Sequence, residues 1–179
     1  MPKVREIRGS SPVKVGRAEI FSRIVLTMKI TGADHTSFTV ADLDRSLAFY
    51  RDLLGLEVLW IRPNITNKYW RDIVGFPDAI VRGAFLAIPG TQHRLELYEY
   101  MQPRGTPADV RTNNPGSAHL CLYVDDVREV YATLRAHNVA FRSPPIDLDE
   151  GPNIGGVALY MVDPDGITIE LFQPPKQSV

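Results

Sequence analysis

The sequence predicts an α+β protein: two tandem βαβββ modules forming a curved mixed sheet around a cleft. Three observations predict it. A stretch beginning at His35, HTSFTVADLDRSLAFYRDLLGL, is answered 84 residues on by HLCLYVDDVREVYATLRAHNV from His119, so that His35 matches His119, Val40 matches Val124 and Asp42 matches Asp126. Each copy passes from a two-residue alternation to a helical period. Each is then followed by three segments of strand character, and a repeat of this length is the signature of a duplicated supersecondary unit.

In chain order, residues 1–30 form an N-terminal extension in which Lys3, Arg5, Arg8, Lys14, Arg17 and Arg23 outnumber Glu6 and Glu19, with a strand expected over VKVGRAEIFSRIVL. The first module covers 31–100. Thr36, Phe38 and Val40 alternate with His35, Ser37 and Thr39, which reads as a half-buried strand with the histidine on the face away from the helix. Leu43, Leu47, Tyr50 and Leu54 fall on one helical face; Asp42 or Asp44 can cap its start and Gly55 can end it. EVLWIR, AIVRGAFLAI and RLELYEY supply three strands. Residues 101–117, rich in Pro, Gly and polar side chains, read as a linker.

The second module covers 118–175, with 176–179 as a tail. Leu120, Leu122 and Val124 oppose His119, Cys121 and Tyr123; Val127, Val130, Tyr131 and Leu134 make the helix, with Asn138 in the place of the glycine. AFRSPP, GGVALYMVD and ITIELFQ are its strands, the last two joined through the turn residues Asp163-Pro164-Asp165-Gly166.

Net charge is −1 and the pI about 6.4, which gives no electrostatic reason to expect nucleic acid or an anionic membrane as partner. No apolar run approaches the ~20 residues that span a bilayer. The lone Cys121 excludes an internal disulfide framework, and with no secretory apolar region at the start the expected compartment is the cytoplasm.

The last strand of each module carries a glutamate inside an apolar run. Glu96 shares a face with Tyr98 and Tyr100 against Leu95 and Leu97; Glu170 shares one with Phe172 against Ile169 and Leu171. With the aliphatic side chains placed against the helices, both glutamates point to the side of the two histidines. A carboxylate among aliphatic neighbours is costly unless paired or bound to a cation. His35, Glu96, His119 and Glu170, at matching places in two copies, are therefore the expected ligands of one divalent ion, and imidazole with carboxylate suits Zn, Ni, Co, Mn or Fe(II). Glu99 is expected to be solvated near its strand end, and His93 and His137, which have no counterpart in the other copy, to lie at the surface. Cys121 is read as a small buried apolar side chain.

HTSFTVADLDRSLAFYRDLLGLEVL, LELYEY, GSAHLCLYVDD and DPDGITIEL together resemble the vicinal oxygen chelate superfamily, which includes glyoxalase I, methylmalonyl-CoA epimerase, extradiol dioxygenases and bleomycin resistance proteins. The resemblance implies a metal-dependent isomerase, epimerase or lyase acting next to a carbonyl through an enolate or enediolate, with Glu170 and then Glu96 as base, and a homodimer. Glyoxalase I resembling the bacterial form carries an arginine and an asparagine for glutathione where this chain has Thr39 and Tyr100, which speaks against lactoylglutathione as substrate. Extradiol dioxygenases use three ligands and leave open the position that Glu96 fills here, which places Fe(II) ring cleavage behind the isomerase or lyase reading as the alternative. Non-catalytic binding of an aromatic drug or metabolite is another. His119 and Cys121 match methylmalonyl-CoA epimerases, although Ala118 replaces the histidine that often precedes them. Trp70, Tyr98, Tyr100, Cys121, Tyr123 and Phe172 are expected to line a pocket for a small, apolar or aromatic substrate with vicinal oxygens. The insertion around Tyr69–Phe76 is either a lid over the cleft or a helix packed at the sheet edge.

Overall fold

The structure, a computed structural model, describes residues 29–176, so the strand expected over 13–26 and residues 177–179 lie outside the described residues. Asp34–Val179 is one compact unit. The first sheet has the order β1-β4-β3-β2, from β1 (His35–Thr39), β2 (Glu57–Ile65), β3 (Ile80–Ala87) and β4 (Arg94–Gln102). The second repeats it as β5-β9-β8-β6, from β5 (His119–Tyr123), β6 (Ala140–Phe141), β8 (Val157–Val162) and β9 (Thr168–Gln173), with β7 (Ile146–Asp147) also on β8. In each, the first strand runs parallel to the last and the remaining pairs are antiparallel. The α+β reading and the two-copy βαβββ order are both present.

The second strand of the module differs between the copies for chemical reasons. Pro144 and Pro145 lack the N–H that a ladder needs, so the strand expected over AFRSPP is cut back to β6, and the short β7 forms only beyond the prolines. In the first copy Pro63 sits where β2 loses register between Arg62 and Ile65; the strand regains pairing at Ile65 with Val81 and then gives way to α2 (Lys68–Val74), ended by Gly75 at φ 75°.

The module helices begin alike. Asp42 accepts from the Arg45 N–H at 3.0 Å, and Asp126 accepts from Arg128 and Glu129 at 2.8 and 3.0 Å. They proceed differently. Helix α3 (Val127–Ala136) is regular, whereas α1 (Leu43–Leu47) widens into a π-helical turn over Ala48–Leu53, closed by Leu54 N–H donating to Phe49 C=O at 3.0 Å. From capping aspartate to left-handed terminator is 13 positions in the first copy (42 to 55) and 12 in the second (126 to 138), with Gly55 at φ 75° and Asn138 at φ 60°. The π turn holds the extra residue.

A single core lies on the helix side of both sheets: Leu43, Tyr50, Leu95 and Leu97 belong to the same buried cluster as Val127, Leu134, Ile169 and Leu171. A polar joint runs through it. The fully buried Tyr50 hydroxyl donates to Asp163 Oδ2 at 2.9 Å, while Asp163 Oδ1 accepts from the N–H groups of Asp165 and Ile167 at 2.9 and 2.8 Å. Burial, above all, holds the Asp163 carboxyl above the usual carboxylate range.

Three expectations change. Glu99 is not solvated: it is buried, accepts from the Leu43 N–H at 3.1 Å and pairs with Arg82 at 3.1 Å, so it caps α1 from the sheet. His93 is half-buried and bonded to the Thr36 hydroxyl at 2.9 Å, while His137 is exposed as expected. Cys121 stands exposed rather than buried, because β5 is an edge strand with no neighbour beyond it among the described residues.

Candidate metal centre

Register places each glutamate. On β4, Glu96 lies opposite Ser37 of β1 and Phe85 of β3; on β9, Glu170 lies opposite Cys121 of β5 and Tyr160 of β8. Each histidine is two residues before that partner, hence on the same face of the pleat. His35 Nε2 stands 3.5 Å from Glu96 Oε2, and His119 Nε2 stands 3.1 Å from Glu170 Oε2. An aromatic ring from the adjoining strand flanks each imidazole: Phe85 at 5.3 Å from His35 and Tyr160 at 5.1 Å from His119, between ring centres.

Two ligands ~2.1 Å from one ion and 90–110° apart stand about 3.0–3.4 Å from each other. The His119–Glu170 separation falls within that spacing and the His35–Glu96 separation just beyond it, and the donor set of one imidazole and one carboxylate per module suits a borderline divalent ion. The pairs do not meet: among the described residues, no three His, Cys, Asp or Glu side chains converge as a metal-holding group. The reason lies in the fold. The two sheets share a core on their helix sides, and the ligand-bearing faces are the opposite ones.

The two halves are unequally shielded. The Glu96 side chain is 8% exposed and that of Glu170 22%. Burial and then Glu96 hold the Tyr98 phenol above its ordinary value, and Tyr160 is raised by burial and then Glu170. The Cys121 thiol is pushed up to about 11, by desolvation first and then by the neighbouring Glu170 carboxylate.

The expected pocket residues fall into two groups. Trp70 is buried under α2, with its ring 5.5 Å from Tyr98 and 5.8 Å from Tyr100, so the inserted helix is packed onto the ligand face of the first sheet beyond Glu96. Tyr69 and Ile73 point to solvent from its other side. Tyr123 and Phe172 pair at 5.7 Å on the second sheet, near Cys121. Beside β1 a cavity of about 430 Å³ is walled by Thr39, Tyr100, Arg104 and the 105–118 loop. Sequence reasoning missed Asp34, Phe85, Arg94 and Tyr160, which surround the histidines. Only Asp34, an acid directly before His35, carried a local signal.

Two sheets of βαβββ origin, each presenting one histidine and one glutamate, define a duplicated fold with paired donors. The chain belongs to the Glyoxalase/Bleomycin resistance protein/Dioxygenase superfamily, whose profile matches residues 32–171. It is 30% identical over 144 residues to the 2-epi-5-epi-valiolone epimerase of an Actinomyces species, covering 79% of this chain and 78% of that one. It is 30% identical over 142 residues to the lactoylglutathione lyase of Haemophilus influenzae, covering 78% and 90%. The crystal structure of a glyoxalase family protein from Bacillus cereus superimposes with a TM-score of 0.71 at 23% identity, over 84% of this chain and 99% of that one. Among the described residues, no helix is long and apolar enough to cross a membrane.

Proposed function

We propose that this protein is a metal-dependent lyase or isomerase, of epimerase type, that moves a proton at a carbon next to a carbonyl group. The supporting observation is the pair of His–Glu donors at matching register positions, with separations of 3.5 and 3.1 Å that suit neighbouring ligands of one ion. His35, Glu96, His119 and Glu170 would hold that divalent ion, which when bound supplies Lewis acidity toward a carbonyl oxygen. Because the two pairs lie on faces turned from the shared core, the set is completed in a homodimer, with one pair from each copy. Relatives that are a lyase and an epimerase support the reaction class.

Glu170 takes the role of base. Its side chain is the more exposed of the two carboxylates, so its Oε2 can leave His119 for a substrate C–H without opening a buried site. Tyr98, Tyr100, Tyr123 and Phe172 offer rings along the same strand faces, which favours a small apolar or flat substrate with neighbouring oxygens. Thr39 and Tyr100, where glutathione-using enzymes carry arginine and asparagine, argue for a substrate without that peptide. The test is solvent deuterium exchange into α-hydroxycarbonyl substrates: Glu170→Gln should abolish it while the dimer persists in sedimentation. Full exchange in that variant removes Glu170 from the base role, and less than ~0.2 metal per chain, with stability unchanged by chelator, removes the metal.

A further inference from the structure

The two half-sites differ in what holds the histidine. His35 sits in a closed ring of contacts. Its Nδ1 is 2.7 Å from Asp34 Oδ2, and an ionised carboxylate only accepts, so Nδ1 carries a proton and donates it, while Nε2 stands 3.5 Å from Glu96 Oε2. The other oxygen of Asp34 accepts from the Arg94 guanidinium, and the Asp34 carbonyl accepts from the Arg94 N–H at 3.2 Å. The same guanidinium lies 4.9 Å over the Phe85 ring, which packs edge-on to His35 at 5.3 Å. His119 keeps a flanking ring, Tyr160, but lacks the carboxylate and the guanidinium: Ala118 precedes it, Thr168 stands in the register position of Arg94, and among the described residues its ring nitrogens contact only Glu170.

We infer that Asp34, braced by Arg94, is a positioning residue that fixes the tautomer and orientation of His35, making the first half-site a preset donor pair and the second an adaptable one. With Nδ1 engaged by Asp34, Nε2 is the ring nitrogen left to face the Glu96 carboxylate at 3.5 Å, and a proton or a metal cation between them satisfies both. Histidine ligands of metals are commonly oriented in this way by a carboxylate on the other ring nitrogen, and losing such a partner costs about 10–100-fold in metal affinity. The metal part of the inference rests on the proposed function; the tautomer part does not.

The test uses the full chain without metal. Long-range 1H–15N spectra of the wild type, recorded at a pH where the ring is neutral, should show His35 as the Nδ1–H tautomer. Asp34→Ala should move it toward the Nε2–H form that free imidazole prefers, while Asp34→Asn, which keeps an acceptor oxygen, should restore Nδ1–H. His119 should not change in either variant. Zinc titrated against a chelating dye should bind Asp34→Ala about 10–100-fold more weakly than wild type. An unchanged His35 tautomer in Asp34→Ala overturns the positioning role whatever zinc does. A tautomer switch in a protein that never binds zinc upholds the positioning role and removes the metal reading. A switch with unaltered zinc affinity overturns the link between the two.

Discussion

The first module surrounds its histidine with Asp34, Arg94 and Phe85, whereas the second leaves His119 beside Ala118, Thr168 and Tyr160. Both nevertheless present imidazole and carboxylate at nearly the same separation. Strand pairing accounts for the likeness: once the first and last strands run parallel in a given register, the face and spacing of the two side chains follow. Nothing in the register dictates what lies behind the histidine, and there the copies diverge. The difference teaches that the sheet supplies the donors and the side chains around them supply their rigidity.

The strongest way to break this comparison is to exchange the two carboxylates' roles. Glu170→Gln should lower turnover by ~10²–10⁴-fold at unchanged fold, the usual range for a lost general base. Glu96→Gln should act chiefly through metal content, so adding excess metal should recover activity in Glu96→Gln and not in Glu170→Gln. Equal rescue of both would make the halves equivalent.

Next in size is the joint between the modules. Asp163→Ala removes the acceptor of Tyr50 O–H and two backbone N–H groups and should cost about 2–4 kcal/mol, read as a lower urea midpoint. Asp163→Asn separates charge from shape. The folded pKa of Asp163 is raised by burial, so its contribution to stability is complete below the unfolded carboxylate value of ~3.9 and is lost as pH climbs through the folded value. The asparagine variant should therefore gain stability relative to wild type between pH 4 and pH 7. An unchanged difference would mean the carboxylate is fully compensated.

Two glycines sharpen the comparison further. A Cβ on Gly83 would fall 2.5 Å from the Tyr98 ring, and one on Gly156 would fall 2.8 Å from the Phe172 ring and 2.9 Å from the Gln173 carbonyl oxygen. A ring can tilt away and a strand carbonyl cannot. Gly156→Ala should thus cost more than Gly83→Ala, both within about 1–3 kcal/mol, by thermal melting. The smallest effect concerns Cys121. With its thiol raised to about 11, alkylation by iodoacetamide at pH 8 should lag behind a free cysteine, and Glu170→Gln should speed it. No change in rate would separate the thiol from that carboxylate.

The duplication, the strand faces and the sides taken by His35, Glu96, His119 and Glu170 were legible because period-two alternation turns sequence directly into facing direction. Other features were not. Arg94 reaches Asp34 only through strand pairing, and Glu99 is buried because Arg82, 17 positions earlier, folds back beside it. The exposure of Cys121 depends on β5 being an edge, and sheet order is not written in local pattern. The separation of the two donor pairs has the same origin: alternation says which face a side chain takes, and only packing says where the faces go.

The π turn at Ala48–Leu53 has a consequence for how this chain changes in length. One residue added to an α-helix rotates everything beyond it by about 100°, enough to turn an inward face outward. Here the wide turn absorbs the added residue locally, so Gly55 still terminates the helix and Leu56 still enters the core. The first copy therefore accommodates one residue more than the second between cap and terminator, and β2, β3 and the strand carrying Glu96 keep the facing of their counterparts.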